Sequence, residues 1–188
     1  MLSGHDFSRA SAGIAEYRAA AGNGVPTVSF DTAKTILMPA YLCEKGVERD
    51  YLRFNGMDMS AAETAVVSEP HEGIVAVMAV AAAVAELVFG EFGSGVSFTS
   101  PLLDIASGRK RDVNILLTEE NAYITVWEKG LRMAEVLPDN SADSLLYYLQ
   151  VTGRRFKLRR FSVNISGTDA AEAGHVLRRY FPKINILP

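Results

Sequence analysis

The feature that most constrains this chain is a series of three closely spaced strand-like runs in its second half. They are Val113–Thr118, Tyr123–Glu128 and Leu131–Leu137, and most of their residues are aliphatic, β-branched or aromatic. Only short turn sequences, Glu120-Asn121 and Lys129-Gly130, separate them. Strands joined by so few residues pair antiparallel, because a parallel crossover needs a dozen residues or more. The sequence therefore predicts an antiparallel meander.

Four further elements follow the meander. Leucines at helical spacing predict a helix over residues 142–151, which Ser141 caps and Gly153 ends. The remaining patterns predict a strand, a helix and a strand, over residues 161–165, 169–181 and 184–187. The second half therefore reads strand, strand, strand, helix, strand, helix, strand. This is the element order of a ribonuclease H-like unit.

The first half repeats part of this order. Its helical patterns cover residues 8–22, parts of 40–54, and 81–92. Its strand-like patterns cover residues 28–30, 35–38, 64–67, 73–78 and 96–100. A polar turn with a proline joins the third and fourth of these runs, which predicts a hairpin. A helix and a strand follow the hairpin, as they do in the second half. This order indicates an internal structural repeat without clear sequence identity.

The most apolar stretch is Ile74–Ala85, and it has twelve residues before Glu86 interrupts it. A membrane-spanning helix needs about 20 apolar residues, so we interpret the stretch as a buried strand leading into a buried helix. The N-terminus shows no basic region followed by an apolar one, and the single cysteine, Cys43, fits a reducing compartment. We expect a cytoplasmic protein with no membrane association.

The most polar break in the chain is Gly108–Asp112, and it predicts a boundary between two halves. We expect residues 1–108 to form a first ribonuclease H-like half and residues 109–188 to form a second. The first half shows no opening meander before residue 28. It is therefore interpreted as degenerate or as N-terminally incomplete.

Several stretches match a known family in their order and spacing, although none of them is chemically distinctive. They are Thr35–Pro39, Tyr51–Asn55, Phe98–Leu103, Asn114–Leu137, Leu145–Leu149 and Val163–Gly167. Over most of residues 27–188 the chain resembles the bacterial domain-of-unknown-function family 3822, which looks like the actin-like ATPase and ribonuclease H-like superfamily. The resemblance implies an α/β fold of two β-meander-plus-helix halves, with mixed sheets flanked by helices. It implies no activity, because none is assigned to the family.

Two turns decide whether such a fold can bind a nucleotide. Actin-like ATPases place an aspartate and glycines in the first hairpin turn of each half, where backbone N–H groups meet phosphate. The equivalent segment here, Leu117–Ala122, has no glycine and carries two glutamates that would repel a triphosphate. The adenosine turn corresponds to Ser166, Gly167 and Thr168, with a single glycine. The sequence thus predicts a missing phosphate site and leaves these three residues as the candidate for a remnant cofactor-binding pocket.

A ribonuclease H-type nuclease would need several carboxylates close to paired metal ions. The first strand of the meander offers only Asn114 as a polar residue. The nearest acids are Asp112, Asp143 and Asp169, which we interpret as a surface turn residue, a first-turn helix acid and a helix start. We therefore predict no nuclease site.

Other catalytic and metal-binding patterns are equally weak. The three histidines, His5, His71 and His175, are far apart and show no ligand-like spacing. Cys43 has no adjacent base, and Ser107–Lys110 matches a Ser-x-x-Lys pattern by chance in a polar loop. The sequence predicts no catalytic residue, no metal site and no cofactor.

The strongest surface feature is a basic segment near the end of the chain. Within seven positions it contains Arg154, Arg155, Lys157, Arg159 and Arg160. Aromatic and aliphatic residues alternate with them, a pattern that can bind single-stranded nucleic acid or an acidic partner. The alternative is a solvated loop leading into an edge strand, where charge discourages aggregation. The net charge of −3 favours this alternative.

The sequence therefore favours a non-catalytic interaction or scaffold protein, with a decayed nucleotide site and an unidentified protein partner. Two alternatives stay open: a nucleotide-binding protein that keeps an adenosine pocket, and an RNA-associated module that uses residues 154–160. A missing first hairpin would leave a sheet edge exposed, so a homodimer through that edge is also expected.

Overall fold

The structure is a computed structural model, and it describes residues 1–21, 26–106, 108 and 111–187. The chain divides into two compact units, Met1–Leu103 and Asp104–Pro188. The polar break that predicts the boundary includes Arg109 and Lys110, which lie outside the described residues. The assignment of residues 1–108 and 109–188 to two ribonuclease H-like halves stays a prediction.

The first unit contains two small sheets with helices against them. Its elements are β1 (Leu2–Ser3), α1 (Phe7–Ala21), β2 (Thr27–Asp31), β3 (Thr35–Pro39), a 3₁₀ turn (Ala40–Leu42), α2 (Glu48–Phe54), β4 (Glu63–Val67), β5 (Ile74–Ala81), α3 (Ala82–Phe92), β6 (Ser97–Thr99) and, at its end, α4 (Pro101–Asp104). One sheet is parallel, in the order β1-β2-β6. The other is antiparallel, in the order β3-β5-β4, and it contains the predicted hairpin of β4 and β5.

The centre of the antiparallel sheet is β5, and it is buried on both faces. Its residues 75–80 are at most 3% exposed, and both α2 and α3 pack against the strand. A strand covered on both sides reads as a continuous apolar run rather than an alternating one. This confirms the interpretation of Ile74–Ala85 as a strand leading into a helix. Among the residues that the structure describes, no helix is both long and apolar enough to cross a membrane.

The second unit is a five-stranded sheet with two helices. Its elements are β7 (Asp112–Leu117), β8 (Ala122–Trp127), β9 (Leu131–Leu137), α5 (Ala142–Phe156), a 3₁₀ turn (Leu158–Arg160), β10 (Ser162–Gly167), α6 (Ala170–Leu177) and β11 (Ile184–Ile186). The strand order is β11-β10-β7-β8-β9. The strands β7, β8 and β9 form the predicted antiparallel meander, and β10 runs parallel to both of its neighbours. The predicted element order and the α/β fold class are confirmed.

One face of this sheet holds the core of the unit. Side chains alternate along β7, so that Val113, Ile115 and Leu117 are buried on the same face. Leu145 and Leu149 from α5, and apolar residues from α6, complete the cluster. Each of these side chains contributes about 1.5–3 kcal/mol by leaving water. Both helices therefore cover the same face, and the opposite face of β7 and β10 carries polar residues.

Three expectations for this unit were wrong. Helix α5 does not stop at Gly153 but continues to Phe156, and Lys157 ends it in a left-handed conformation, with φ of 55°. The basic segment does not lead into an edge strand, because β10 lies between β7 and β11. Helix α6 is shorter than residues 169–181, since turns follow it from residue 178.

Candidate functional site

The turn between β7 and β8, where an actin-like phosphate site is expected, is closed by its own hydrogen bonds. The Thr118 hydroxyl accepts from the backbone N–H groups of Asn121 at 2.9 Å and Glu120 at 3.4 Å. The backbone N–H of Thr118 donates to the Asn121 carbonyl at 2.9 Å. The Asn140 amide donates to the Thr118 carbonyl at 2.6 Å, and Thr118 is 2% exposed. These amides point into the turn, whereas a phosphate cradle needs them to converge outward.

The predicted adenosine turn is pressed against the end of β7. Gly167 has φ of 92°, and a Cβ atom at this position would lie 2.0 Å from the carbonyl oxygen of Leu117. The same carbonyl accepts the backbone N–H of Thr168 at 2.9 Å. The Ser166 hydroxyl donates to the Ile115 carbonyl at 3.4 Å. The glycine is therefore needed for close strand packing, and the Thr168 amide is used inside the fold.

A small cleft lies next to this turn, at the N-terminal ends of α5 and α6. Its volume is about 180 Å³, and it is lined by Asn140, Ser141, Ala142, Asp169, Glu172 and Ala173. Sites for drug-sized ligands start at about 300 Å³. The two carboxylates in the lining would also repel a phosphate group. Ser141 acts as the N-cap of α5, as predicted, because its hydroxyl accepts from the Ser144 amide at 3.3 Å.

The acids considered for a nuclease site do not come together. Asp112 lies at one end of β7, opposite Ser162, and Asp169 follows the far end of β10. Five strand residues separate these ends, which is about 17 Å. Asp143 lies in the first turn of α5, as predicted. Asp112 is a half-buried strand residue rather than the predicted surface turn residue, because it is the first residue of β7 and pairs with the neighbouring strands.

A row of asparagines, which the sequence pattern does not reveal, crosses the polar face of the sheet. The Asn164 amide donates to the Asn114 side-chain carbonyl at 2.8 Å, and the Asn185 amide donates to Asn164 at 2.8 Å. The Asn114 amide and the Thr125 hydroxyl both donate to the Ile105 carbonyl, at 3.4 and 2.8 Å. The three asparagines are in register on β7, β10 and β11. Only the strand register reveals this row, since the residues are 50 and 21 positions apart in sequence.

His5, Thr32 and Glu63 meet in the first unit, which the sequence spacing also did not reveal. His5 Nε2 lies 3.0 Å from Thr32 Oγ1, and its Nδ1 lies 3.9 Å from a Glu63 oxygen. The Thr32 hydroxyl donates to the Ala79 carbonyl at 2.9 Å. Lys34 binds both Glu63 oxygens at 2.9 and 2.8 Å. The hydroxyl is thus directed at a backbone carbonyl and Lys34 holds the Glu63 carboxylate, so we interpret the group as a structural tie.

The other nucleophile and metal candidates stay apart. Burial raises the pKa of the Cys43 thiol, which keeps it protonated and unreactive. His71 exchanges backbone hydrogen bonds at the hairpin turn, and His175 lies exposed on α6. Ser107 and Lys110 lie outside the described residues. Among the side chains that the structure describes, no three of His, Cys, Asp and Glu are grouped to hold a metal ion.

Most of the predicted basic segment converges on one pocket, here called the basic pocket. Its volume is about 450 Å³, and it is lined by Leu149, Gln150, Gly153, Arg154, Lys157, Arg159, Arg160, Tyr180 and Phe181. The end of α5, the 3₁₀ turn and the turn that follows α6 form its walls. Leu149 and Phe181 are buried, whereas the four basic side chains and Tyr180 are exposed. The pocket thus has an apolar floor and a basic rim, and none of the described residues that line it is acidic.

Arg155 is the member of the basic segment that does not reach this pocket. It lies against the Phe156 ring, with its guanidinium carbon 5.2 Å from the ring centre. It lines a separate cleft with Glu128, Leu131, Arg132 and Phe156. Successive residues of a helix point in directions about 100° apart, so neighbours such as Arg154 and Arg155 face different surroundings.

The interleaved aromatic residues do not form a stacking surface. Phe161 is 2% exposed, and Leu158 between the arginines is 1% exposed. Phe156 is half-buried, with the Arg155 guanidinium over its ring. Bases of single-stranded nucleic acid need exposed rings on which to stack. The aromatic side chains of the basic segment therefore pack against the core of the unit rather than facing solvent.

No family model matches the chain, and no curated protein sequence matches it. Solved structures do match its fold. A Bacteroides thetaiotaomicron VPI-5482 protein, described as having an actin-like ATPase fold and unknown function, has a TM-score of 0.70 at 11% identity. The match covers 94% of this chain and 76% of that one. The PilM–PilN type IV pilus biogenesis complex matches with a TM-score of 0.60 at 13% identity, over 100% of this chain and 77% of that chain. The chain therefore has the actin-like ATPase fold.

Proposed function

We propose that this protein is a non-catalytic interaction module, built on an actin-like fold whose nucleotide site has decayed. The observation that carries the proposal is the closure of the turn at Thr118–Asn121 by its own hydrogen bonds. To bind a nucleotide, an actin-like ATPase must offer backbone amides of that turn to phosphate. Here those amides donate to Thr118 and Asn121 instead. Membership of the domain-of-unknown-function family 3822, cytoplasmic location and bacterial origin belong to the same proposal.

An assembly role is supported by one structural neighbour. The PilM–PilN match is a type IV pilus biogenesis complex, so a protein of this fold occurs there as part of a protein complex. A fold without a working nucleotide site can still present rigid surfaces to a partner. For this chain we therefore propose a protein partner, whose identity the fold does not define.

Self-association through a sheet edge is a second form of the same proposal, and we now place it at β9 of the second unit rather than at the first-half edge that a missing hairpin would leave. The outer strand β9 is seven residues long and half-buried over much of its length. Its charged residues Arg132 and Glu135 oppose uncontrolled pairing, so a specific two-fold contact is needed. Multi-angle light scattering in dilute solution should give twice the chain mass. A measured mass equal to that of the monomer would rule out self-association.

The nucleotide part of the proposal is tested by titration calorimetry with Mg·ATP, Mg·ADP and adenosine. We expect no heat of binding at millimolar ligand and no change in melting temperature. A competent actin-like ATPase serves as the positive control. Binding of Mg·ATP would overturn the proposal. Binding of adenosine alone, lost on changing Ser166 or Thr168 to bulky residues, would instead support the adenosine-pocket alternative.

A further inference from the structure

The outer face of α5 exposes apolar side chains next to the basic pocket. Tyr147 is 73% exposed and Val151 is 48% exposed. They lie four residues apart, and Arg154 follows three residues after Val151, so these side chains share one helix face. An apolar strip therefore leads, within one helical turn, into the basic pocket.

We infer that this continuous surface binds an acidic segment of a partner protein that also carries bulky apolar side chains. The inference rests on the proposed interaction function and specifies the class of its partner. Carboxylates of the segment would meet the basic rim, and its apolar side chains would meet the exposed Tyr147, Val151 and Tyr180. The combination of apolar and basic contacts gives the surface its selectivity.

The basic rim calls for an anionic occupant. Among the described residues, no ion pair involves Arg154, Lys157, Arg159 or Arg160. The carbonyl end of the α5 dipole offsets only part of the repulsion among these charges. Arginine presents a planar fork of donors that matches a carboxylate in two hydrogen bonds. An acidic segment would relieve the repulsion and fill the pocket.

A protein segment fits better than a nucleic acid. The four rim charges converge on one pocket, whereas a nucleic-acid strand needs a basic track along its backbone. The aromatic rings within the basic segment are buried or half-buried, so the segment itself offers a run of bases no stacking platform. The exposed apolar strip on α5 has no role in binding a phosphate backbone. Binding of nucleic acid is therefore the competing result that the experiment below can detect.

The binding test uses fluorescence anisotropy with the full chain and labelled 12-residue probes at low ionic strength. The main probe repeats Glu-Glu-Leu, and its comparators replace leucine with serine or glutamate with glutamine. A 12-nucleotide oligouridylate is the nucleic-acid probe. We expect the Glu-Leu peptide to bind at least five-fold more tightly than each of the other three probes, and its affinity to fall as salt rises.

Matched variants locate the site. R154A and R159A should each weaken binding of the Glu-Leu peptide at least five-fold. R155A removes the same charge one residue away on the same helix and should change the affinity less than two-fold. Y147S should weaken binding of the Glu-Leu peptide and leave that of the Glu-Ser peptide unchanged. Far-UV circular dichroism and Trp127 fluorescence confirm that each variant is folded.

Three results would overturn the inference: no binding of the Glu-Leu peptide at millimolar concentration, equal losses for R154A and R155A, or tighter binding of oligouridylate. None of these results depends on nucleotide binding by the fold. If one of them occurs and Mg·ATP does not bind either, the inferred class of partner is wrong but the proposed interaction function stands. If Mg·ATP binds, the proposed function fails whatever the peptide does.

Discussion

At the scale of single residues, the Glu63 carboxylate is held by hydrogen bonds from Lys34 and Ser60. Burial alone would raise its pKa, but hydrogen bonds from Lys34 and Ser60 outweigh burial and lower the pKa from 4.5 to about 2. The carboxylate is 9% exposed and the Lys34 side chain is 34% exposed. A pKa difference of this size corresponds to about 3 kcal/mol, and solvent at Lys34 reduces the contribution to about 2 kcal/mol.

Glu63→Gln should therefore destabilise the protein by about 2 kcal/mol at pH 7. Because the folded pKa lies below the unfolded value, the contribution of Glu63 is complete above about pH 5 and is lost as the pH falls toward 2. Urea unfolding at pH 7, 5, 4 and 3 should show a shrinking gap between the two proteins. Asp50→Asn breaks an exposed pair with Arg53 and serves as the control, with an expected change below about 0.5 kcal/mol. A gap that stays constant with pH would contradict the role of the charge.

Gly167 makes a second prediction at this scale. Gly167→Ala adds a Cβ atom that collides with the Leu117 carbonyl at a positive φ, so the turn must move. We expect a loss of about 2–4 kcal/mol in urea unfolding. Gly46→Ala is the control, because its φ of 94° matches that of Gly167 but no atom lies within 4 Å of the added Cβ. Equal losses for the two variants would show that close strand packing is not the reason for Gly167.

The phosphate turn shows what residue chemistry can and cannot predict. The lack of glycine and the two glutamates at Leu117–Ala122 predicted a turn that does not bind phosphate. That expectation stays a prediction, and the structure adds one observation in its support: Thr118 and Asn121 take up backbone amides of the turn. Hydrogen bonds within a turn depend on its backbone geometry, and residue types alone do not specify that geometry.

At the scale of elements, the asparagine row links three parallel strands. Asn164 makes hydrogen bonds to both Asn114 and Asn185, whereas Asn185 is an exposed end of the row. Asn164→Ala should cost about 1–2 kcal/mol, because it leaves two partners without their bonds, and Asn185→Ala about 0.5 kcal/mol. Thermal unfolding monitored by circular dichroism measures both. Equal costs would mean that the row does not hold the strands together.

The ends of elements were harder to predict than their existence. Gly153 has the residue type of a helix stop, yet α5 passes through it, and Lys157 adopts the left-handed conformation that ends the helix. The Lys157 amide then donates to the Gly153 carbonyl. A lysine in this role carries no sequence signal. Because α5 continues past Gly153, Arg154 and Arg155 both lie on the helix, and Arg154 lines the basic pocket whereas Arg155 lines the separate cleft.

At the scale of the whole molecule, local contacts were predictable and distant ones were not. The meander and the order of the second unit follow from short connections, so the sequence analysis found them. The parallel pairing of β2 with β1 and β6 joins residues far apart in the chain, and β1 has only two residues. The basic pocket was unpredictable for the same reason. Its basic residues come from the end of α5 and the 3₁₀ turn, whereas Tyr180 and Phe181 come from the turn after α6.

The second unit should fold when separated from the first, because it has a complete sheet and its own apolar cluster. A fragment of residues 104–188 contains the single tryptophan of the chain, Trp127, which reports on this unit alone. We expect one cooperative urea transition with a free energy of unfolding of about 4–8 kcal/mol. Fluorescence and far-UV circular dichroism should give the same midpoint, because a two-state transition is independent of the probe. Separate midpoints, or a fragment that binds a hydrophobic dye without a transition, would show that this core is insufficient by itself.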